Sequence, residues 1–124
     1  METRSYDLEE RLIRYGVSMI NLAEKLPKTY AGNHLSGQLT RSGTSPALQY
    51  GEAQAAESRA DFIHKMKIGL KELKESYVAL RMIDLLGWAS AGQLAPTSDE
   101  TLQLIRIFVS SINTSKANGQ SRPH

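Results

Sequence analysis

The sequence predicts an all-α protein, an antiparallel up-down-up-down four-helix bundle. Three observations carry that expectation. Three long segments repeat apolar residues at steps of three and four, the spacing of one helix face. A further segment, rich in small residues, keeps the same spacing. No stretch alternates apolar and polar residues with the period of a strand.

The first helix is expected over residues 6–26. Leu8, Leu12, Tyr15, Met19, Leu22 and Leu26 form a heptad seam, which Ile13, Ile20 and Ala23 widen to the stripe of a bundle helix. Ser5 is suited to cap its start, and Asp7, Glu9 and Glu10 favour the positive end of the helix dipole. Pro27 ends it, and residues 27–33, "PKTYAGN", read as a turn.

Residues 34–56 are the least obvious helix, because "RSGTSPALQYGEA" (41–53) carries Ser, Gly, Thr and Pro. At 100° per residue, Leu35, Leu39, Ser42, Pro46, Tyr50 and Ala53 nonetheless share a face. Small side chains there let a neighbouring backbone approach. Gly43 and Gly51 each cost roughly 1 kcal/mol of helix propensity, and Pro46 is expected to kink or break the helix. Ser45 followed by Pro46 also resembles an N-cap and first position, so two short helices joined near Thr44 are the alternative. A phosphate-cradling loop is excluded by the missing Walker and dinucleotide spacings.

The third helix is expected over residues 59–86. Ser58 and Asp61 make a capping pair, Phe62, Met66, Gly69, Leu73, Tyr77 and Leu80 share a face flanked by Ile63 and Leu70, and Gly87 stops the helix. Residues 87–97 connect to the fourth, where Thr97 and Glu100 form a capping box. That helix runs to about residue 115, with Leu102, Ile105, Phe108, Val109 and Ile112 on one face. One domain therefore spans 1–115, and the polar tail "KANGQSRPH" (116–124) is expected to be disordered.

The chain has 124 residues, is 40% hydrophobic and 23% charged, and has no cysteine. That excludes disulfides and thiolate metal sites and fits a cytoplasmic location. "METRSYDLEERLIRYG" lacks the apolar core of a secretory signal, and no apolar run approaches membrane-spanning length. A net charge of +2 is too small to point to nucleic acid by composition.

Sites for chemistry are sparse. Asp61 and His64 have the i, i+3 spacing of a metal pair, but no Glu-x-x-His exists and both lie off the apolar face of their helix. His34 and the terminal His124 stand alone. No Gly-x-Ser-x-Gly elbow appears. No catalytic residue, metal, cofactor or small-molecule substrate is expected, and the chain is read as a non-enzyme.

Charge on the third helix is more informative. With Phe62 at 0°, Lys67, Lys71, Lys74 and Arg81 fall at about 100–180°, and Asp61, Glu72, Glu75 and Ile68 at about 220–280°. The bland reading is a solvated face. The sharper one is a head-to-tail contact, in which one flank meets the opposite flank of another copy. On that reading Arg41, Leu48, Glu52, Asp61, Ile68, Glu72 and Glu75 lie in a subunit interface. Arg41 and Glu52, about 16 Å apart along their helix, each need a partner on a neighbouring helix or subunit. Asp84, on the apolar side near the helix end, is expected to reach solvent or pair with Arg81 or the fourth helix. Arg41, Arg59, Lys65, Lys67, Lys71 and Lys74 are candidate contacts to RNA or DNA phosphates. Aromatics make up only 6% of the chain, which argues against base stacking. A purely structural or protein-binding assembly is the alternative.

The central block carries a resemblance. Its marks are Gln38-Leu39 with Arg41, Ser42-Gly43-Thr44-Ser45, Glu52-Ala53, Ser58, Asp61-Phe62-Ile63-His64-Lys65, Lys71-Glu72, Glu75 and Leu86-Gly87-Trp88. Over residues 8–112 the chain resembles the four-helix-bundle family encoded in intervening sequences of bacterial 23S rRNA genes. Pro46 departs from that pattern, where an aliphatic residue is more usual, as does Gln49, where Asn is. The resemblance implies an antiparallel bundle, often a homopentamer. It also implies kinship with accessory proteins of diversity-generating retroelements, basic barrels that associate with nucleic acid and a reverse transcriptase. It implies no molecular activity.

Overall fold

The computed structural model describes residues 4–121, with side chains from Asp7 to Gly119. It consists of α1 (Arg4–Glu24), α2 (Tyr30–Gln54), α3 (Arg59–Leu86) and α4 (Ala91–Ser121). Among the described residues there is no strand.

The heptad seam expected of the first helix is buried throughout, from Leu8 to Leu26, although α1 ends at Glu24 and Leu26 lies in the turn beyond it. Ile13 and Ile20 do not widen it: they are 48% and 37% exposed. The cap expected at Ser5 lies within the helix, and its side chain is outside the described residues. At the other end the Lys28 ammonium donates to the Glu24 carbonyl at 3.0 Å, satisfying one of the last free acceptors.

Helix α2 begins earlier than expected, at Tyr30. The Thr29 hydroxyl caps it by accepting from the Gly32 amide at 3.1 Å. Gly32 is required there, since a Cβ would sit 1.8 Å from the Pro27 carbonyl oxygen. The helix then runs unbroken through Pro46 rather than dividing near Thr44. Pro46 is fully buried, so packing offsets the lost backbone donor. Nearby, the Thr40 and Thr44 hydroxyls donate to the carbonyls of Ser36 and Thr40 at 2.9 and 2.8 Å.

Helix α3 matches its expected bounds. Ser58 accepts from the Asp61 amide at 3.0 Å. Gly87, at φ 72°, closes the helix, with the Gly87 and Trp88 amides donating to the carbonyls of Asp84 and Ile83.

Helix α4 differs at both ends. It starts at Ala91, where Ser90 and Gln93 cap reciprocally: the Gln93 amide donates to Ser90 Oγ at 3.2 Å and the Ser90 amide to Gln93 Oε1 at 3.0 Å. Pro96 and Thr97 therefore lie inside the helix. It continues to Ser121, so the tail expected to be disordered over 116–124 is helical that far, and 122–124 are outside the described residues. Its inward face is also rotated: Leu104 is fully buried, whereas Val109 is 37% exposed.

Contact pairs reverse in order between consecutive helices, as antiparallel neighbours require. Met19 lies against Gly43 and Ala23 against Ser36; Arg41 pairs with Glu72 and Glu52 with Lys65; Gly69 meets Phe108 and Arg59 meets Gly119. Packing follows chain order, with a sparse α1–α4 seam closing the bundle, so α1 and α3 lie on one diagonal. Across the core Tyr50 and Phe108 meet with ring centroids 6.4 Å apart. The Tyr15 hydroxyl and Thr101 Oγ1 are 2.7 Å apart. Because Thr101 gives its only proton to the Thr97 carbonyl, Tyr15 is the donor. Ser76 donates to Ser42 at 2.9 Å, whereas Gln49 Oε1, buried on α2, has no hydrogen-bond partner among the described residues.

Candidate interaction surface

The surface best endowed for recognition lies along the outer side of α3. Lys67, Lys71 and Lys74 project from its middle, all exposed and without an ion pair among the described residues. Val78, Met82 and Leu85 continue the row toward the C-terminus, at 51%, 49% and 80% exposure. Where α3 meets the start of α2 the surface dips into an open groove of about 720 Å³. Leu35, Leu70, Val78, Ala79 and Met82 supply its apolar lining, and His34, Gln38, Glu75 and the three lysines its polar groups.

The other predicted cations are committed elsewhere. Arg41 spans the α2–α3 seam, its Nη1 2.8 Å from Glu72 and its Nη2 3.1 Å from Glu75. The hydrogen bond to Glu75, with Glu72 close behind, holds its guanidinium pKa above the ordinary value. Lys65 pairs with Glu52 at 2.7 Å, and that hydrogen bond raises the ammonium in the same way. Arg59 lies over Gly119, where a Cβ would come within 3.0 Å of its Cδ. The six candidate phosphate contacts thus separate into one cluster of three and three that serve the bundle.

The acidic flank is corrected in the same way. Glu72 is buried, with 8% of its side chain exposed, and faces Arg41 rather than an open flank. Glu75 and Glu52 also pair within the chain. Asp61 and Ile68 are half-buried, and Leu48 stands out at 66% exposure. Asp84 is exposed, whereas Tyr77 and Trp88 are half-buried.

Residues that the helical wheel passed over matter more. Val78, Met82 and Leu85 fall at about 140–200° on the wheel that placed the lysines, far from the core stripe. That offset was the signal. A second exposed row stands on α1, where Ile13, Val17 and Ile20 are 48%, 52% and 37% exposed. Val17 lies opposite the heptad seam, which is again visible in the spacing.

Elsewhere, α1 and α4 part beyond their contacts at Arg11 and Tyr15, leaving a cleft of about 940 Å³ lined by Leu8, Tyr50, Phe62 and polar residues of α4. Among the described residues no group of three or more His, Asp or Glu is placed to hold a metal ion. His64 is exposed and Asp61 beside it half-buried; His124 is outside the described residues. Among the described residues no helix is long and apolar enough to cross a membrane.

The geometry is that of a small four-helix bundle with rows of unburied apolar side chains. The chain belongs to the 23S rRNA-intervening sequence protein family, whose model matches residues 5–110. It is also similar to a crystal structure of a protein of unknown function from the S23 ribosomal protein family of Bacteroides thetaiotaomicron. The identity is 27% and the TM-score 0.82, covering 90% of this chain and 99% of the other. No curated protein matches the chain.

Proposed function

We propose that this chain is a non-enzymatic, cytoplasmic assembly module that forms homo-oligomers. One observation carries the reading: two rows of exposed apolar side chains stand on diagonally opposed helices, Ile13, Val17 and Ile20 on α1 and Val78, Met82 and Leu85 on α3. Apolar side chains left in water at regular helical spacing favour burial against a partner. Two unlike rows on opposite sides favour head-to-tail contacts, which close into a ring when the rotation between subunits allows. The family resemblance suggests five subunits. Sedimentation velocity across a concentration series tests this reading: a discrete oligomer is expected, and a monomer at every concentration overturns it.

A nucleic-acid role is the finer part of the proposal, supported by the unpaired Lys67, Lys71 and Lys74. Repetition around a ring would multiply a weak basic patch into many phosphate contacts. Titration of a structured RNA at two salt concentrations is expected to show binding that weakens steeply with salt and is lost in Lys67→Glu/Lys71→Glu. Absence of binding at low salt leaves the purely structural assembly.

A further inference from the structure

The two exposed rows have the same spacing and opposite leading charges. On α1 the row is Glu9, Ile13, Val17, Ile20; on α3 it is Lys74, Val78, Met82, Leu85. Both advance by four, four and three residues, so each spans roughly 16 Å along its helix. Glu9 and Lys74 are both exposed, and neither forms an ion pair among the described residues. We infer that α1 of a second copy of this chain seats against α3, parallel to it, with Ile13, Val17 and Ile20 alongside Val78, Met82 and Leu85 and Glu9 beside Lys74.

This pairing rests on the self-assembly reading and names the surfaces that carry it. Matching steps allow each apolar side chain to sit between two on the facing helix, as in ridge-and-groove packing of nearly parallel helices. Charge selects the direction. The acidic end of α1, with Asp7 and Glu9, would meet the lysines of α3, Lys67, Lys71 and Lys74; Glu10 is already paired with Arg14 at 2.8 Å. A reversed α1 would instead offer Glu24. There Lys25 follows directly and the Lys28 ammonium sits 3.0 Å from the Glu24 carbonyl, which offsets the acidity. The reversed steps, four, three and four, also fall out of register with those of α3. A wrong pairing is penalised more strongly than a right one is rewarded, because like charges facing each other repel.

A charge swap tests the register. The wild-type chain is expected to associate, Lys74→Glu and Glu9→Lys each to weaken association about tenfold, which corresponds to about 1.4 kcal/mol, and the double variant to restore it. All these positions are exposed, and circular dichroism melts establish that each variant folds. Restoration by Glu24→Lys instead of Glu9→Lys overturns the parallel register. Single variants that associate like the wild type overturn the pairing and leave self-assembly standing, whereas a monomeric wild type overturns both. The absence of native cysteine allows a second measurement. A mixture of Val17→Cys and Met82→Cys proteins treated with a short bismaleimide is expected to yield a crosslinked heterodimer. The mixture of Val17→Cys with Leu48→Cys is expected to yield none, and the opposite pattern overturns the pairing.

Discussion

The α2–α3 and α1–α4 seams both contain an arginine–carboxylate pair, yet one is closed and the other opens into a cleft. Between α2 and α3, Arg41 reaches Glu72 and Glu75, Lys65 reaches Glu52, and Ser76 donates to Ser42 in the interior. Between α1 and α4, Arg11 makes a bidentate pair with Glu100 at 2.7 and 3.0 Å, and Tyr15 meets Thr101. Beyond that level α4 presents Arg106, Ser110, Ser111, Thr114 and Ser115 to the space beside Asp7 and Arg11. Polar side chains gain nothing by leaving water without partners, and Ile107 is the one apolar side chain that α4 adds to this lining, so little apolar surface draws these helices together. The difference shows that small and apolar residues at facing positions close a seam, while an ion pair only marks its level.

The largest test of that contrast is truncation of a leucine on each side. Leu39→Ala, at a fully buried position on α2, is expected to cost about 2–5 kcal/mol in urea denaturation. Leu8→Ala, at the edge of the cleft and 9% exposed, is expected to cost less than half as much, because water already reaches that wall. Equal losses would break the comparison.

Glycines sharpen it. A Cβ at Gly43 would lie 2.5 Å from Met19 Cβ, so Gly43→Ala must push α1 from α2, with an expected loss of about 1–3 kcal/mol. Gly51 has open space around it, and Gly51→Ala is expected to add about 0.5–1 kcal/mol through helix propensity.

Smaller still is the contrast between the arginines. Arg41→Ala strands the buried Glu72, whereas Arg11→Ala leaves Glu100, 30% exposed, able to rehydrate. Arg41→Ala is expected to lower Tm further, and a larger drop for Arg11→Ala would reverse the ranking of the seams.

The smallest effect is confined to alkaline pH. Burial pushes the Tyr15 phenol above its ordinary 10.0. The folded state therefore holds that proton more tightly than the unfolded chain does. The contribution is full below pH 10.0 and is lost as pH rises through the folded value. Tyr15→Phe is expected to shallow the decline in stability above pH 10.0 in a urea–pH series.

Helix α3 was legible from sequence at both ends because Ser58 and Gly87 act within one turn of themselves. The starts of α2 and α4 were not. Gly32 and Asn33 read as turn residues, but Gly32 is needed where the helix passes the Pro27 carbonyl. Thr97 with Glu100 has the better-known capping pattern, but the working pair joins Ser90, one residue before the helix, to Gln93 in its first turn. The charged flank of α3 was misjudged for a different reason. A wheel shows the direction in which Glu72 points but not that α2 covers it, which depends on how far apart two helices sit. The lysine cluster was visible on the same wheel, because exposure at the outermost angles needs no knowledge of a neighbour, whereas Ile13 and Ile20 were assigned to the core stripe and stand exposed.

The glycine that ends α3 sets a spectroscopic address. The chain has a single indole, Trp88, which follows Gly87 directly and packs half-buried against the core. Its emission therefore reports the α3–α4 corner alone. A shift to longer wavelength ahead of the loss of helical ellipticity would record fraying of that corner before the bundle unfolds, a local clock within one cooperative transition.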